Sequence, residues 1–123
     1  MIALFSLLRK LVSLMIAVMS LLGLNKSTVT VELYTNPASG YLWEYSYDDT
    51  GILTLSESYY IPDSSAILSG GGGTQNFEFS AVSSGTVNIT FRYISKIDST
   101  VASEYIYTYI VDHAGNITLQ SIQ

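Results

Sequence analysis

From Thr28 onward the chain alternates apolar and polar residues with a period of two. Val29, Val31 and Leu33 fall on one face of the first run, and Thr28, Thr30, Glu32 and Tyr34 on the other. After a proline loop, Tyr41, Trp43, Tyr45 and Tyr47 alternate with Leu42, Glu44 and Ser46. Ile52 to Leu55 and Ser58 to Ile61 read as two short strands, closed by Pro62-Asp63-Ser64. Phe77, Phe79 and Ala81 then oppose Glu78 and Ser80, and Val87, Ile89, Phe91 and Tyr93 oppose Asn88, Thr90 and Arg92. The last long strand is predicted over Ala102 to Val111, with Tyr105, Tyr107 and Tyr109 on one face, and Asn116 to Ile122 adds an edge strand.

Turn chemistry separates these runs: Asp48-Asp49-Thr50-Gly51, Ser83-Ser84-Gly85, a polar stretch from Ser95 to Thr100, and Asp112-His113-Ala114-Gly115. No amphipathic helical period and no internal repeat occurs after residue 24. Roughly seven short strands in about 100 residues predict an all-β, immunoglobulin-like β-sandwich.

The first 24 residues are of a different kind. Met1 to Lys10 ends in the basic pair Arg9-Lys10, and Leu11 to Leu24 is apolar apart from Ser13, Ser20 and Gly23. That length suits the apolar core of a secretion signal and is short for a full membrane span. Val18-Met19-Ser20 and Leu21-Leu22-Gly23 are the candidate cleavage sites. Residues 1–24 are therefore expected to be a signal peptide or a retained anchor, and residues 25–123 the folded domain. Either outcome places the domain outside the cytosol, with a membrane as partner only if the segment is retained.

Composition narrows the chemistry. The 123 residues contain no cysteine, so neither disulfides nor thiol chemistry is available. The one histidine, His113, lies in a turn without a serine partner, and no Gly-x-Ser-x-Gly elbow exists. No metal or cofactor set is evident. Ten acids face the three bases Lys26, Arg92 and Lys96 beyond the leader, a surface that repels phosphate backbones and argues against nucleic acid. An enzyme is not expected. Asn25, Asn88 and Asn116 head Asn-x-Ser/Thr sequons, relevant in a host that glycosylates.

Two loops carry the functional signal. Asn36-Pro37-Ala38-Ser39-Gly40-Tyr41 is stiffened by proline and bent at glycine between two strands, and Gly70-Gly71-Gly72-Gly73-Thr74 precedes another strand. Turn and hairpin chemistry explains each taken alone. As an ordered pair, with Trp43 after the first and Tyr59-Tyr60-Ile61-Pro62-Asp63-Ser64 before the second, they resemble the chagasin-type inhibitors of papain-like cysteine proteases. The family pattern is Asn-Pro-Thr-Thr-Gly-Tyr/Phe, then Gly-x-Gly-Gly, then Arg-Pro-Trp, on three loops at one end of the sandwich. The likeness runs from about Val29 to Val111.

The resemblance implies a reversible inhibitor that occludes the cleft of a papain-family cysteine protease. Its contacts would be Asn36, Pro37, Ala38, Ser39, Gly40 and Tyr41, then Gly70, Gly71, Gly72, Gly73 and Thr74, and a third loop within Phe91 to Lys96. There Arg92 or Tyr93 stands at the family arginine, and neither proline nor tryptophan follows. The family's first strand is expected either to be missing or to be replaced by part of the apolar segment, because only Asn25 to Thr28 separate that segment from Val29. The competing readings are an extracellular immunoglobulin-like adhesion or structural module, and an inhibitor relative whose third loop has lost function.

Overall fold

A computed structural model of the protein describes residues 27–63 and 71–123. Seven strands occur among them: β1 (Thr28–Thr35), β2 (Tyr41–Tyr47), β3 (Leu53–Pro62), β4 (Gly73–Ala81), β5 (Gly85–Ser95), β6 (Val101–Val111) and β7 (Ile117–Ile122). They form a three-stranded sheet, β1-β4-β3, and a four-stranded sheet, β2-β5-β6-β7, with antiparallel pairing throughout. This is the expected immunoglobulin-like sandwich. The segment 1–24 expected to be a signal or anchor, Asn25 and Gly70 lie outside the described residues, as does any strand preceding β1.

The alternation seen in sequence sorts the two faces of each sheet. Val31, Leu33, Phe77 and Phe79 from one sheet meet Val87, Ile89, Phe91, Tyr109 and Val111 from the other, all buried. The aromatic rings interlock across the gap: Phe77 and Phe91 have centroids 5.4 Å apart, and Tyr45 meets Phe79 edge-on at 5.7 Å. Edge-to-face contact suits the ring quadrupoles and adds to the burial itself. Truncating Phe79 or Phe91 to alanine would cost about 3–5 kcal/mol, since both are fully buried.

The tyrosine face of β6 is graded. Tyr109 is buried, Tyr107 half-buried and Tyr105 exposed, so the row is the inner sheet face emerging toward one end.

One element differs from expectation. The two short strands around Ser56 are a single strand, β3, carrying a bulge between Leu55 and Glu57 where it pairs with β4. Ser56 sits in the bulge and its hydroxyl donates to the Glu78 carbonyl at 3.0 Å. The extra residue reverses the alternation, so Leu55 opposes Phe79 while Ser58 opposes Phe77. A period-two reading sees such a reversal as a gap.

The candidate loop surface

Strand direction brings three connections to one end. β1 ends and β2 begins at the first loop, β3 ends and β4 begins at the second, and β5 ends and β6 begins at the third. Register confirms the juxtaposition: Thr35 and Pro62 both pair with Gly73, and Tyr41 pairs with Ser95.

The first loop is a closed, self-bonded turn. Residues Pro37–Ser39 form one 3-10 turn with Asn36 as its N-cap. The Asn36 side-chain oxygen accepts from the Ala38 amide at 3.1 Å, and its carbonyl accepts from the Ser39 amide at 2.9 Å and the Ser39 hydroxyl at 2.6 Å. Proline at the first position of the turn has no N–H to leave unpaired and holds φ in place. Gly40 then adopts φ 82°, a left-handed conformation that turns the chain into β2. Pro37, Ala38 and Ser39 remain exposed at the crest.

Tyr93 buttresses this loop from the neighbouring sheet. Its hydroxyl accepts from the Asn36 amide at 3.1 Å and lies 3.3 Å from the Ser39 hydroxyl and 3.5 Å from the Thr35 hydroxyl. The ring stacks on Tyr41 at 5.3 Å and packs against Trp43 at 4.8 Å. Trp43 in turn donates its indole N–H to the Tyr34 carbonyl at 2.8 Å, tying β2 to β1 at the loop's base. Burial pushes the Tyr93 phenol pKa up, but the bonds to Ser39, Thr35 and Asn36 outweigh it and hold it below its usual value. Tyr93 thus sits behind the loop that it holds.

The second loop is joined to the first by backbone contact. A β-carbon on Gly72 would lie 2.5 Å from the Thr35 carbonyl oxygen and 2.6 Å from the Tyr34 hydroxyl. One on Gly73 would collide with the Ile61 carbonyl oxygen. These two glycines are buried and provide room for packing within the molecule, while Gly71 and Thr74 are partly exposed. The Asp63 amide donates to the Gly72 carbonyl at 3.1 Å and closes the loop's base.

The third connection coincides with the polar stretch Ser95 to Thr100 and lies largely beyond the Phe91 to Lys96 window that the family resemblance implied. β5 continues to Ser95, so Arg92 sits within the strand on its outer face, opposite Glu44 and Glu104. Its guanidinium bonds the Glu104 carboxylate at 2.7 Å, both side chains being largely in solvent. The turn itself comprises Lys96 to Thr100, and the Lys96 amide donates to the Gly40 carbonyl at 2.8 Å. Lys96 and Ile97 are therefore the side chains this loop places beside the first; sequence reading took Lys96 only as a boundary and passed over Ile97.

The sequons at Asn88 and Asn116 are engaged. The Asn88 amide nitrogen donates to Asp48 at 2.8 Å while its oxygen accepts from Thr108 at 2.6 Å. The Asn116 amide nitrogen donates to Asp112 at 3.1 Å. A glycan on either nitrogen would compete with these bonds. His113 is exposed in the turn at the opposite end, and among the described residues no cluster of three acidic, histidine or cysteine side chains could hold a metal.

Comparison with known proteins bears on the family and the fold. A family model described as chagasin family peptidase inhibitor I42 matches residues 25–111. Among solved structures, the chain is similar in fold to a cysteine protease inhibitor from Entamoeba histolytica, with a TM-score of 0.60 and 21% identity. That likeness covers 69% of this chain and 78% of the other. No curated protein matches the sequence.

Proposed function

Because the chain belongs to the chagasin family of peptidase inhibitors, we propose that it is a reversible inhibitor of papain-like cysteine proteases that acts by filling the cleft with its first loop. The observation that carries this reading is the pre-organised turn Asn36–Gly40, internally hydrogen-bonded and held from behind by Tyr93. A loop ordered before contact loses little entropy on docking, so more of its contact energy becomes affinity. Pro37, Ala38 and Ser39 form the crest that would meet the catalytic cysteine and histidine. The second and third loops would rest on the walls of the cleft. Gly71 and Thr74 would give close approach on one side, and Lys96 with Ile97 the contact on the other.

Tyr41, Gly72, Gly73 and Tyr93 support this surface from within. Arg92, paired with Glu104 on the outer sheet face, lies outside it. The setting would be extracytoplasmic, where a leader at residues 1–24 would deliver the domain.

Titration of the purified protein against papain or a cathepsin-L-type enzyme tests the reading. Competitive, reversible inhibition is expected, and replacing Pro37–Ser39 by glycine and serine should abolish it. No inhibition at micromolar concentration would refute the proposal for this protease class.

A further inference from the structure

Ile97 is 93% exposed, more than any other large apolar residue described. A single exposed isoleucine is ordinary on a protein surface. What distinguishes this one is the rigidity of the backbone that presents it. The Ser95 amide donates to the Thr100 carbonyl at 2.9 Å, and the Ser99 amide to the Ser95 carbonyl at 3.0 Å. The Ile97 amide itself donates to the Ser95 hydroxyl at 3.2 Å. Asp98 accepts from the Thr100 amide at 3.1 Å and the Thr100 hydroxyl at 2.8 Å, while Ser99 holds the left-handed φ of 63°.

Turn chemistry accounts for serine, aspartate and threonine here, but gives no reason for an isoleucine at the tip. Its burial stabilises nothing within the domain. Its position is fixed against the first loop, because the preceding residue donates its amide to Gly40. A molecule that receives Asn36–Gly40 therefore has Ile97 at its rim. Lys96 and Asp98 are its sequence neighbours and both are exposed, so the apolar contact is a single side chain and fits a recess better than a flat wall.

We propose that Ile97 is the apolar anchor of the third loop and enters an apolar recess beside the protease cleft. This rests on the inhibitory reading above and adds the residue that selects among proteases. Those with an apolar recess at that rim bind tightly, and those with a charged wall there bind weakly. A β-branched side chain on an ordered hairpin has few rotamers to lose, which favours such an anchor.

The test compares the unchanged protein, Ile97→Ser and Ile97→Leu for inhibition of papain and for thermal unfolding. Ile97→Ser should unfold at the same temperature yet bind roughly 10- to 100-fold more weakly, mainly through faster dissociation. Ile97→Leu should bind within about threefold of the unchanged protein, since its apolar volume is kept. Equal potency of Ile97→Ser and the unchanged protein overturns the anchor and leaves the first-loop reading standing. Absence of inhibition by the unchanged protein overturns both.

Discussion

The Tyr93 hydroxyl accepts the Asn36 amide across a separation of 57 residues, so a strand of the four-stranded sheet holds the first residue of the loop that leaves the three-stranded one. The same oxygen also meets Ser39 and Thr35. One phenol therefore sets the height and tilt of the crest. Tyr93→Phe keeps the stacking on Tyr41 and Trp43 but leaves the Asn36 amide without this acceptor. Losing such a bond costs about 1–3 kcal/mol when the donor stays buried, and less where water can replace it. The variant should remain folded and inhibit papain about tenfold more weakly, with Ki and melting temperature measured in parallel. Unchanged Ki would show that the loop holds its shape without the buttress.

Gly40 and Gly72 respond to alanine for different reasons. At Gly40 there is open space but φ is 82°, so Gly40→Ala should cost about 1 kcal/mol in strain and leave the packing intact. At Gly72 the obstacle is the Thr35 carbonyl oxygen, a backbone atom that cannot rotate away. Gly72→Ala should therefore separate the first two loops and destabilise by more than Gly40→Ala. Adding Tyr34→Ala to Gly72→Ala should recover little of the loss, because it removes only the movable neighbour. Chemical denaturation of the three variants checks the order.

These roles mark how far the sequence could be read. Faces such as Val87, Ile89 and Phe91 were legible because burial imposes a strict period of two on a strand. The bulge at Ser56 was not, since it depends on a hydrogen bond to Glu78, 22 residues away. The two glycine-bearing loops were visible as local turn chemistry. That Gly72 and Gly73 serve internal packing is set by Tyr34, Thr35 and Ile61, and no local pattern encodes that contact. For the third loop the family pattern pointed to Arg92 or Tyr93, whereas the alternation itself puts Arg92 on a strand and the polar run Ser95 to Thr100 marks the turn. The pairing of Ile94 with Val101 carries β5 on to Ser95.

Burial of Tyr109 predicts loss of stability in alkali. Its phenol is pushed up to about 12, first by burial and then by the neighbouring Tyr107 phenol. The folded state thus favours the neutral form more than the unfolded chain does. The stabilisation is complete below the unfolded pKa of 10.0 and is lost as pH rises through about 12. The loss should be of the order of 2 kcal/mol, from the free energy equivalent of a pKa shift. Denaturation curves at several pH values should show stability falling across this window. Tyr109→Phe should flatten the fall, and an equally steep fall in that variant would assign it to other tyrosines.

The last dependence runs in the opposite direction and concerns the third loop. Asp98 has its pKa lowered by the Thr100 hydroxyl, then by the Thr100 amide. Both donate to the ionised form, so the order they give the hairpin is present above the ordinary value of 3.8 and is lost as pH falls through the lower folded pKa. Above pH 3.8 the loop should therefore keep its shape. The Thr100 amide resonance should titrate with a midpoint below 3.8, and the Ile97 methyl resonances should move with it. Asp98→Asn should abolish that titration with little change in melting temperature, because the carboxylate is exposed and the core lies elsewhere. A Thr100 midpoint at or above 3.8 would mean that the two hydrogen bonds do not hold the hairpin in solution, and the rigidity assigned to the Ile97 tip would fall with them.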